Sequence, residues 1–277
     1  QIREVLQTLY GLRLSEGGIV DSLRRLAQAT ADERARIAAQ IRAAPAVHAD
    51  ETSWRENGQN GWVWVRTTPA GACLYTYDHS RSGAVAQRLL DAGTGVCCTD
   101  FYAAYNGVLG RKQRCWAHLL RDLHKLTSAH PQDAAVQAWA QALRALYERG
   151  QECVGQDLSA AQRQRAYRQL EDRARALGHC YADTADHPCQ VLAQRLRRHR
   201  GELFEFVRVP EVAATNNTAE RTLRPLVIGR KISGGTRSPQ GTQTRLDLAS
   251  LFQTWHARTA NSFAACFSLL HSALPQV

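Results

Sequence analysis

The chain has 277 residues, 44% hydrophobic and 22% charged, which is enough apolar material for one large packed domain or two modest ones. Its 35 Lys and Arg against 25 Asp and Glu leave a formal net charge of +10, an excess that favours polyanionic partners, nucleic acid first. No apolar run approaches the roughly 20 residues a bilayer span needs, and Gln1 to Gly11 is polar and amphipathic rather than a signal peptide, so a membrane partner is excluded and a cytoplasmic protein is expected. Eight cysteines without a C-x-x-C pair read as reduced, mostly buried thiols. Methionine is absent, and a chain opening on Gln1 reads as part of something longer whose N-terminal portion is missing.

In chain order, Ile2, Val5, Leu6 and Leu9 recur at helical spacing, Gly11 interrupts, and Ser15 can cap a second helix carrying Ile19, Leu23 and Leu26. This is a helical hairpin or a DNA-reading helix-turn-helix. A third helix, Asp32 to Ala43, ends before Pro45. From Ala46 the texture changes to strands, Ala46 to Asp50, Gly61 to Thr67 and Ala72 to Tyr77, with Asn57-Gly58 and Pro69-Ala70-Gly71 as breaks. Trp62 and Trp64 alternate with Val63 and Val65, which places both tryptophans on one packed face. A helix, Gly83 to Asp91, then leads to the apolar run Val96 to Thr99 ending on Asp100. Strand, helix, strand implies a parallel crossover, so the sheet is mixed.

Beyond Gln113-Arg114-Cys115-Trp116 the pattern is helical for about ninety residues. Val136, Trp139, Ala140, Leu143, Leu146 and Tyr147 form one apolar face, Ala166, Leu170, Ala174 and Leu177 a second, and Val191, Leu192, Leu196 and Leu203 a third. The reading is a helical insertion with its own small core. After it come the polar cluster TNNTAER, the basic glycine-rich stretch IGRKISGGTRSPQG, and closing helices from about Thr244. The resulting organisation is α/β: a helical N-terminal segment (1–45), the first part of a core (46–125), the helical insertion (126–212) and the second part of the core (213–277).

Three acids stand out by position: Asp50 in the first strand, Asp100 at the end of the crossover strand, and Glu220 at the start of a helix after the insertion. Phosphodiester chemistry with two divalent ions needs acidic oxygens converging on cations about 3.5–4 Å apart, and adjacent strand ends plus one helix can supply them. Asp50 and Glu51 point to opposite faces of a strand, so one of them joins such a site; Asp50 is chosen, with Glu51 left to solvent or a supporting contact. Each acid also has an ordinary structural role open to it. Asp50 and Glu51 could be turn residues after a strand ending at Ala49, Asp100 could cap a helix from Tyr102, and Glu220 lies three residues after Asn217, the spacing of a capping box.

The ordered motifs HADETSW, TDFYAAYN, CWAHLLRDL and NNTAERTLRPLVIGRK with a following SGGTRS resemble the DDE transposases of the insertion-sequence-66 family, from about Asp50 to Leu270. That resemblance implies an RNase H-like mixed sheet flanked by helices, a catalytic and metal-binding triad of Asp50, Asp100 and Glu220, and Mg²⁺, with Mn²⁺ as substitute. It implies cleavage and joining of transposon DNA ends, with the alternatives of a nuclease that hydrolyses without joining or an inactive DNA-binding remnant. Cys115, His118 and Arg121 match the same family and are expected on or beside the strand following Asp100. Members usually carry an N-terminal extension, so the chain reads as a catalytic core lacking it. A homo-oligomer on DNA, accessory proteins of the same element and a nucleoid-associated location follow from the same resemblance.

Arg221, Arg224, Arg230, Lys231 and Arg237 follow Glu220 closely and are candidate phosphate ligands, with His118 and Arg121 as further DNA contacts. Pro225 predicts a kink or restart in the helix. Gly229, Gly234, Gly235 and Gly241 would let backbone amides approach phosphate. Arg195, Arg197, Arg198 and Arg200 suit an exposed helix face as well as DNA. Cys115 and His118 have C-x-x-H spacing, and His179, Cys180, His187 and Cys189 crowd a segment that zinc would suit, though without the tight paired spacing of a structural site.

Overall fold

The computed structural model describes residues 2–91, 93, 95–258 and 261–273. Two compact units divide the chain: one is Gln1–Ile41, Glu51–Ser80 and Thr222–Val277, the other Arg42–Asp50 and Arg81–Arg221. The fold is α/β, with a mixed five-stranded sheet ordered β3-β2-β1-β4-β5, where β1 is Ala46–Glu56, β2 Gln59–Thr67, β3 Cys73–Asp78, β4 Val96–Thr99 and β5 Lys112–Arg114.

In the first unit, helices α1 (Ile2–Tyr10), α2 (Glu16–Ala29) and α3 (Ala31–Ala43) open the chain, and Ser15 caps α2 by accepting the Gly18 amide at 3.0 Å. Asn57 and Gly58, at φ 50° and 79°, form the two-residue turn between β1 and β2. Positive φ at both central positions matches the right-handed strand twist. β2 and β3 pair antiparallel from Trp62↔Asp78 to Thr67↔Cys73. Trp64 is buried with Val63 and Val65, so β2 is covered on both faces. The outer edge of β3 is closed by helix α11 (Pro239–Ala257): Cys73 and Tyr75 donate their amides to the hydroxyls of Thr254 and Ser250 at 3.0 and 2.9 Å. Hydroxyls one helical turn apart thus satisfy alternate strand amides that would otherwise invite another strand. Helix α12 is Ser262–Ala273.

In the second unit the first half of β1 runs parallel to β4, in register Ala46↔Val96 to His48↔Cys98, and β4 parallel to β5, Cys97↔Lys112 to Thr99↔Arg114. Helix α4 (Gly83–Leu90) is the expected crossover, burying Val85, Ala86, Leu89 and Leu90. Helices α5 (Trp116–Ala129), α6 (Ala134–Val154), α7 (Ala160–Tyr181), α8 (Gln190–Arg198) and α9 (Glu205–Arg208) follow.

The helical stretch does not keep a core to itself. Ala46, Val96 and Cys98 of the sheet, Trp116 of α5 and residues from Val136 to Ala214 form one buried cluster. Residues 202–206 are stitched to β5: Arg114 donates its amide to the Glu202 carbonyl at 2.6 Å, and Gln113 donates to the Leu203 carbonyl and accepts the Phe206 amide. Val191, expected on an apolar face, is 66% exposed.

Candidate active site

β1 does not stop at Ala49. It continues through Thr52, Ser53 and Trp54, so Asp50 and Glu51 lie within a strand and not in a turn. Alternation turns them apart as expected, but Glu51 is buried at 8% exposure and is not left to solvent. The parallel pairing of β1 with β4 ends at His48↔Cys98; Asp50 lies two residues further along β1, and Asp100 directly follows β4. Each acid thus stands two residues beyond the last paired position, and among the described residues Asp50, Asp100 and Glu220 are not gathered closely enough to share an ion.

Asp100 is fixed by its surroundings. Its Oδ1 accepts the Tyr102 amide at 2.8 Å, a local turn bond ahead of the 3₁₀ turn Ala103–Gly107, whose N-cap is Tyr102 without a side-chain cap, so Asp100 does not cap a helix there. Its carbonyl accepts from Nη1 of Arg114 at 2.9 Å. Arg114 is fully buried and spends its other donors on Glu202 at 2.7 Å, Thr99 Oγ1 at 3.2 Å and Asn106 Oδ1 at 2.9 Å. Burial pushes the Glu202 carboxyl up, but His199, Arg114 and Lys112 outweigh it and bring the group down to about 2. A guanidinium with no water around it is thus matched by a firmly ionised partner and hydrogen-bonded on all sides, which is what makes burying it tolerable.

Glu220 lies in the first turn of α10 (Asn217–Ser233), and Asn216, just before that helix, sets its position. Asn216 is buried at 1% exposure. Its Nδ2 donates to the Ala49 carbonyl at 2.8 Å, its Oδ1 faces Nδ1 of His48 at 3.1 Å, and its amide donates to Cys115 Sγ at 3.1 Å. Because Nδ2 is committed to a carbonyl, Oδ1 must accept, so His48 carries its proton on Nδ1. Burial lowers the pKa of His48, with the Asn216 bond opposing, and keeps the ring neutral. The Glu220 amide bonds back to the Asn216 carbonyl at 3.3 Å. One side chain therefore ties the start of the Glu220 helix to the residue before Asp50.

Cys115 precedes α5 and His118 lies in its first turn, directly after β5, close to where the sequence expected them. His118 Nε2 is 3.8 Å from Glu220 Oε1. The adjacent Cys115 sulfur raises the imidazole pKa, burial opposes it, and Asp100 and Glu220 add to the rise, so both acids act on the same ring. Arg121, further along α5, is exposed.

The basic residues after Glu220 divide. Arg221, Arg224, Lys231 and Arg237 are exposed, and Arg221 donates to the Asn217 carbonyl at 3.3 Å. Arg230 is engaged with β1: Nη1 donates to Thr52 Oγ1 at 3.0 Å, to Ser53 Oγ at 2.6 Å and to the Ser53 carbonyl. α10 runs through Pro225 without a restart. The glycine-rich stretch is no open cradle. Gly234, Gly235 and Gly241 donate their amides to Arg230 O, Ser233 Oγ and Ser238 Oγ, and Gly229 lies inside α10. Gly235, at φ 106°, has only 2.1 Å between an added Cβ and the Arg55 carbonyl, and this close approach lets Thr236 bridge to Glu56. Nor are His179, Cys180, His187 and Cys189 gathered: His187 stacks on Tyr181, and among the described residues the group spaced to share an ion is Cys115, His118 and Glu220.

The family described as "Transposase IS66 family" matches residues 1–244. The chain belongs to the IS66 transposase family. The match takes in Asp50, Asp100, Cys115, His118 and Glu220 and ends within α11. A curated relative, the uncharacterized protein y4jO of Sinorhizobium fredii (strain NBRC 101917 / NGR234), is 29% identical over 150 residues, 53% of this chain and 44% of that protein. The match therefore spans less than half of that relative's length. Among the described residues no helix is long and apolar enough to cross a membrane.

Three residues that brace the site escaped the sequence reading. Asn216 was hidden by its neighbour Asn217, which the capping-box spacing favoured. Arg114 and Glu202 are 88 residues apart, and only a buried basic residue at the end of a short strand would have hinted at them.

Proposed function

We propose that this IS66-family chain is a DNA strand-transfer enzyme with an RNase H-like catalytic core, in which Asp50, Asp100 and Glu220 hold Mg²⁺, with Mn²⁺ as substitute. What supports this reading is that Asp50 lies in β1 just past its parallel pairing with β4, Asp100 directly follows β4, and Asn216 fastens the start of the Glu220 helix to the Ala49 carbonyl. Two aspartates and a partly exposed glutamate are hard oxygen donors, the type that suits Mg²⁺. Bound divalent ions would lower the pKa of an attacking water or DNA 3′-hydroxyl and offset charge on the leaving oxygen.

The chain's own residues have separate tasks. Arg114 and Asn216 fix the backbone that carries the acids, Arg114 through the Asp100 carbonyl and Asn216 between the Ala49 carbonyl and the start of the Glu220 helix. His118, its pKa raised, sits beside Glu220 as a half-buried donor at the edge of the site. Arg221, Arg224, Lys231, Arg237 and Arg121 supply exposed positive charge for DNA phosphates, while Arg230 braces β1. Several copies assembled on DNA, with accessory proteins of the same element, complete the proposal.

The test is cleavage of a labelled element end in Mg²⁺ or Mn²⁺ by the intact chain and by Glu220→Gln, followed by joining assays on precut ends. Cleavage and joining that both vanish in Glu220→Gln support the proposal. Cleavage without joining would reduce it to a nuclease, and equal activity of both proteins would remove Glu220 from the chemistry.

A further inference from the structure

The triad does not use Cys115, yet this thiol lies beside one of the triad's acids. One ligand atom each from Cys115, His118 and Glu220 lies within 4.8 Å of the others, and His118 Nε2 and Glu220 Oε1 are already 3.8 Å apart. Zinc bonds of about 2.0–2.3 Å in a tetrahedron put ligand atoms roughly 3.3–3.8 Å from one another, so a small contraction closes the set. A thiol and an imidazole on the C-x-x-H turn at the start of α5, with a carboxylate from the first turn of α10, form a borderline-soft donor set, unlike an all-oxygen set that includes the aspartates. Cys115 is buried at 1% exposure, whereas the side chains of His118 and Glu220 are 30% and 39% exposed, so the cluster has a closed floor and an open mouth.

We propose that Cys115, His118 and Glu220 form a binding site for a soft or borderline divalent cation of the Zn²⁺ type, with a fourth position open to water. Three protein ligands and one open position is the usual count for an accessible zinc site. Glu220 belongs to both donor sets, so an ion held here withdraws Glu220 from Asp50 and Asp100 and opposes the Mg²⁺-dependent reaction. That consequence rests on the strand-transfer reading; the binding itself does not.

The probe is Co²⁺ added to the intact chain, read by absorption. Thiolate ligation gives a sulfur-to-cobalt charge-transfer band that oxygen-only sites lack. One equivalent of Co²⁺ should produce the band, and Zn²⁺ should erase it. Cys115→Ser, which keeps an acceptor for the Asn216 amide, should abolish it; His118→Gln, at a partly exposed position, should weaken binding at least about tenfold. Asp50→Asn should retain it. Circular dichroism establishes that each variant is folded. A missing band in the intact chain would overturn the proposal, as would a band that survives Cys115→Ser and so belongs to another thiol, such as exposed Cys180. In parallel, one equivalent of Zn²⁺ should slow cleavage in Mg²⁺; an unchanged rate with the cobalt band present would overturn the opposition to Mg²⁺. A chain that shows the band but never cleaves DNA would refute the strand-transfer reading and leave the site standing.

Discussion

The two ends of α10 are built in opposite ways. Its start, with Glu220, is fixed by Asn216 through buried bonds to Ala49, His48 and Cys115, and the neighbouring Asp100 is held by equally buried Arg114. Its far end is exposed and basic, with Ile228 and Ile232 at 52% and 84% exposure, and Arg230 is its described bond to β1. Carboxylates that share a cation must be placed to within a fraction of an ångström, whereas gripping a phosphate chain takes charge that can move. On the proposed reading, buried polar residues mark the end that does the chemistry, and exposed arginine and lysine mark the end that binds DNA.

Breaking the fixed end should have the largest effect. Asn216→Ala leaves the Ala49 carbonyl and a His48 nitrogen unpartnered in the interior, which should cost about 2–6 kcal/mol at roughly 1–3 per orphaned group. Cleavage should fall about 100-fold, the scale expected for an ångström of misplacement. Denaturant unfolding and cleavage rate check both. Glu202→Gln comes next. It leaves the fully buried Arg114 facing a neutral amide and should cost about 3 kcal/mol or more. Because the folded pKa of Glu202 is depressed, the charge stabilises fully above the ordinary carboxylate range near 4.5 and is lost as pH falls towards about 2. The variant should accordingly lose part of the acid-dependent decline in stability between those values, read from unfolding midpoints at stepped pH.

The binding end should respond more gently. Arg230→Ala should cost about 1 kcal/mol by releasing Thr52 and Ser53 and leave the salt dependence of DNA binding nearly unchanged. Arg224→Ala with Lys231→Ala should leave stability within about 0.5 kcal/mol. It should, however, flatten the plot of log affinity against log salt by roughly 0.9 per lost phosphate contact on duplex DNA. A flattened slope for Arg230→Ala would erase the division between the two ends.

Most elements were legible because their signals are local: Ser15 before an apolar helical stripe, Asn57-Gly58 between alternating strands, and the crossover from Gly83 to Thr99. The places of Asp50 in β1, Asp100 just after β4 and Glu220 in the first turn of α10 were legible from position and from the ordered motifs around them. What could not be read was whatever depends on distant chain. The full length of β1 is set by pairing and by the burial of Trp54, the sharing of one core between Ala46 and Leu143 requires the folded molecule, and the clamps on the acids join residues far apart. The glycine-rich stretch was misread for the opposite reason, since local flexibility suggested a phosphate cradle while Gly235 is there to pass close to Arg55.

The most direct test of the central claim is the rate of Mg²⁺-dependent DNA cleavage by Asp50→Asn, Asp100→Asn and Glu220→Gln, each first shown to be folded without metal. Loss of the negative charge that offsets a divalent cation should lower cleavage by about two orders of magnitude or more in all three. Apo stability should be unchanged or higher, since on the proposed reading the substitution removes one of three carboxylates that would repel one another without metal. Near-normal cleavage by any one of them would contradict the role assigned to that acid, and near-normal cleavage by all three would contradict the mechanism.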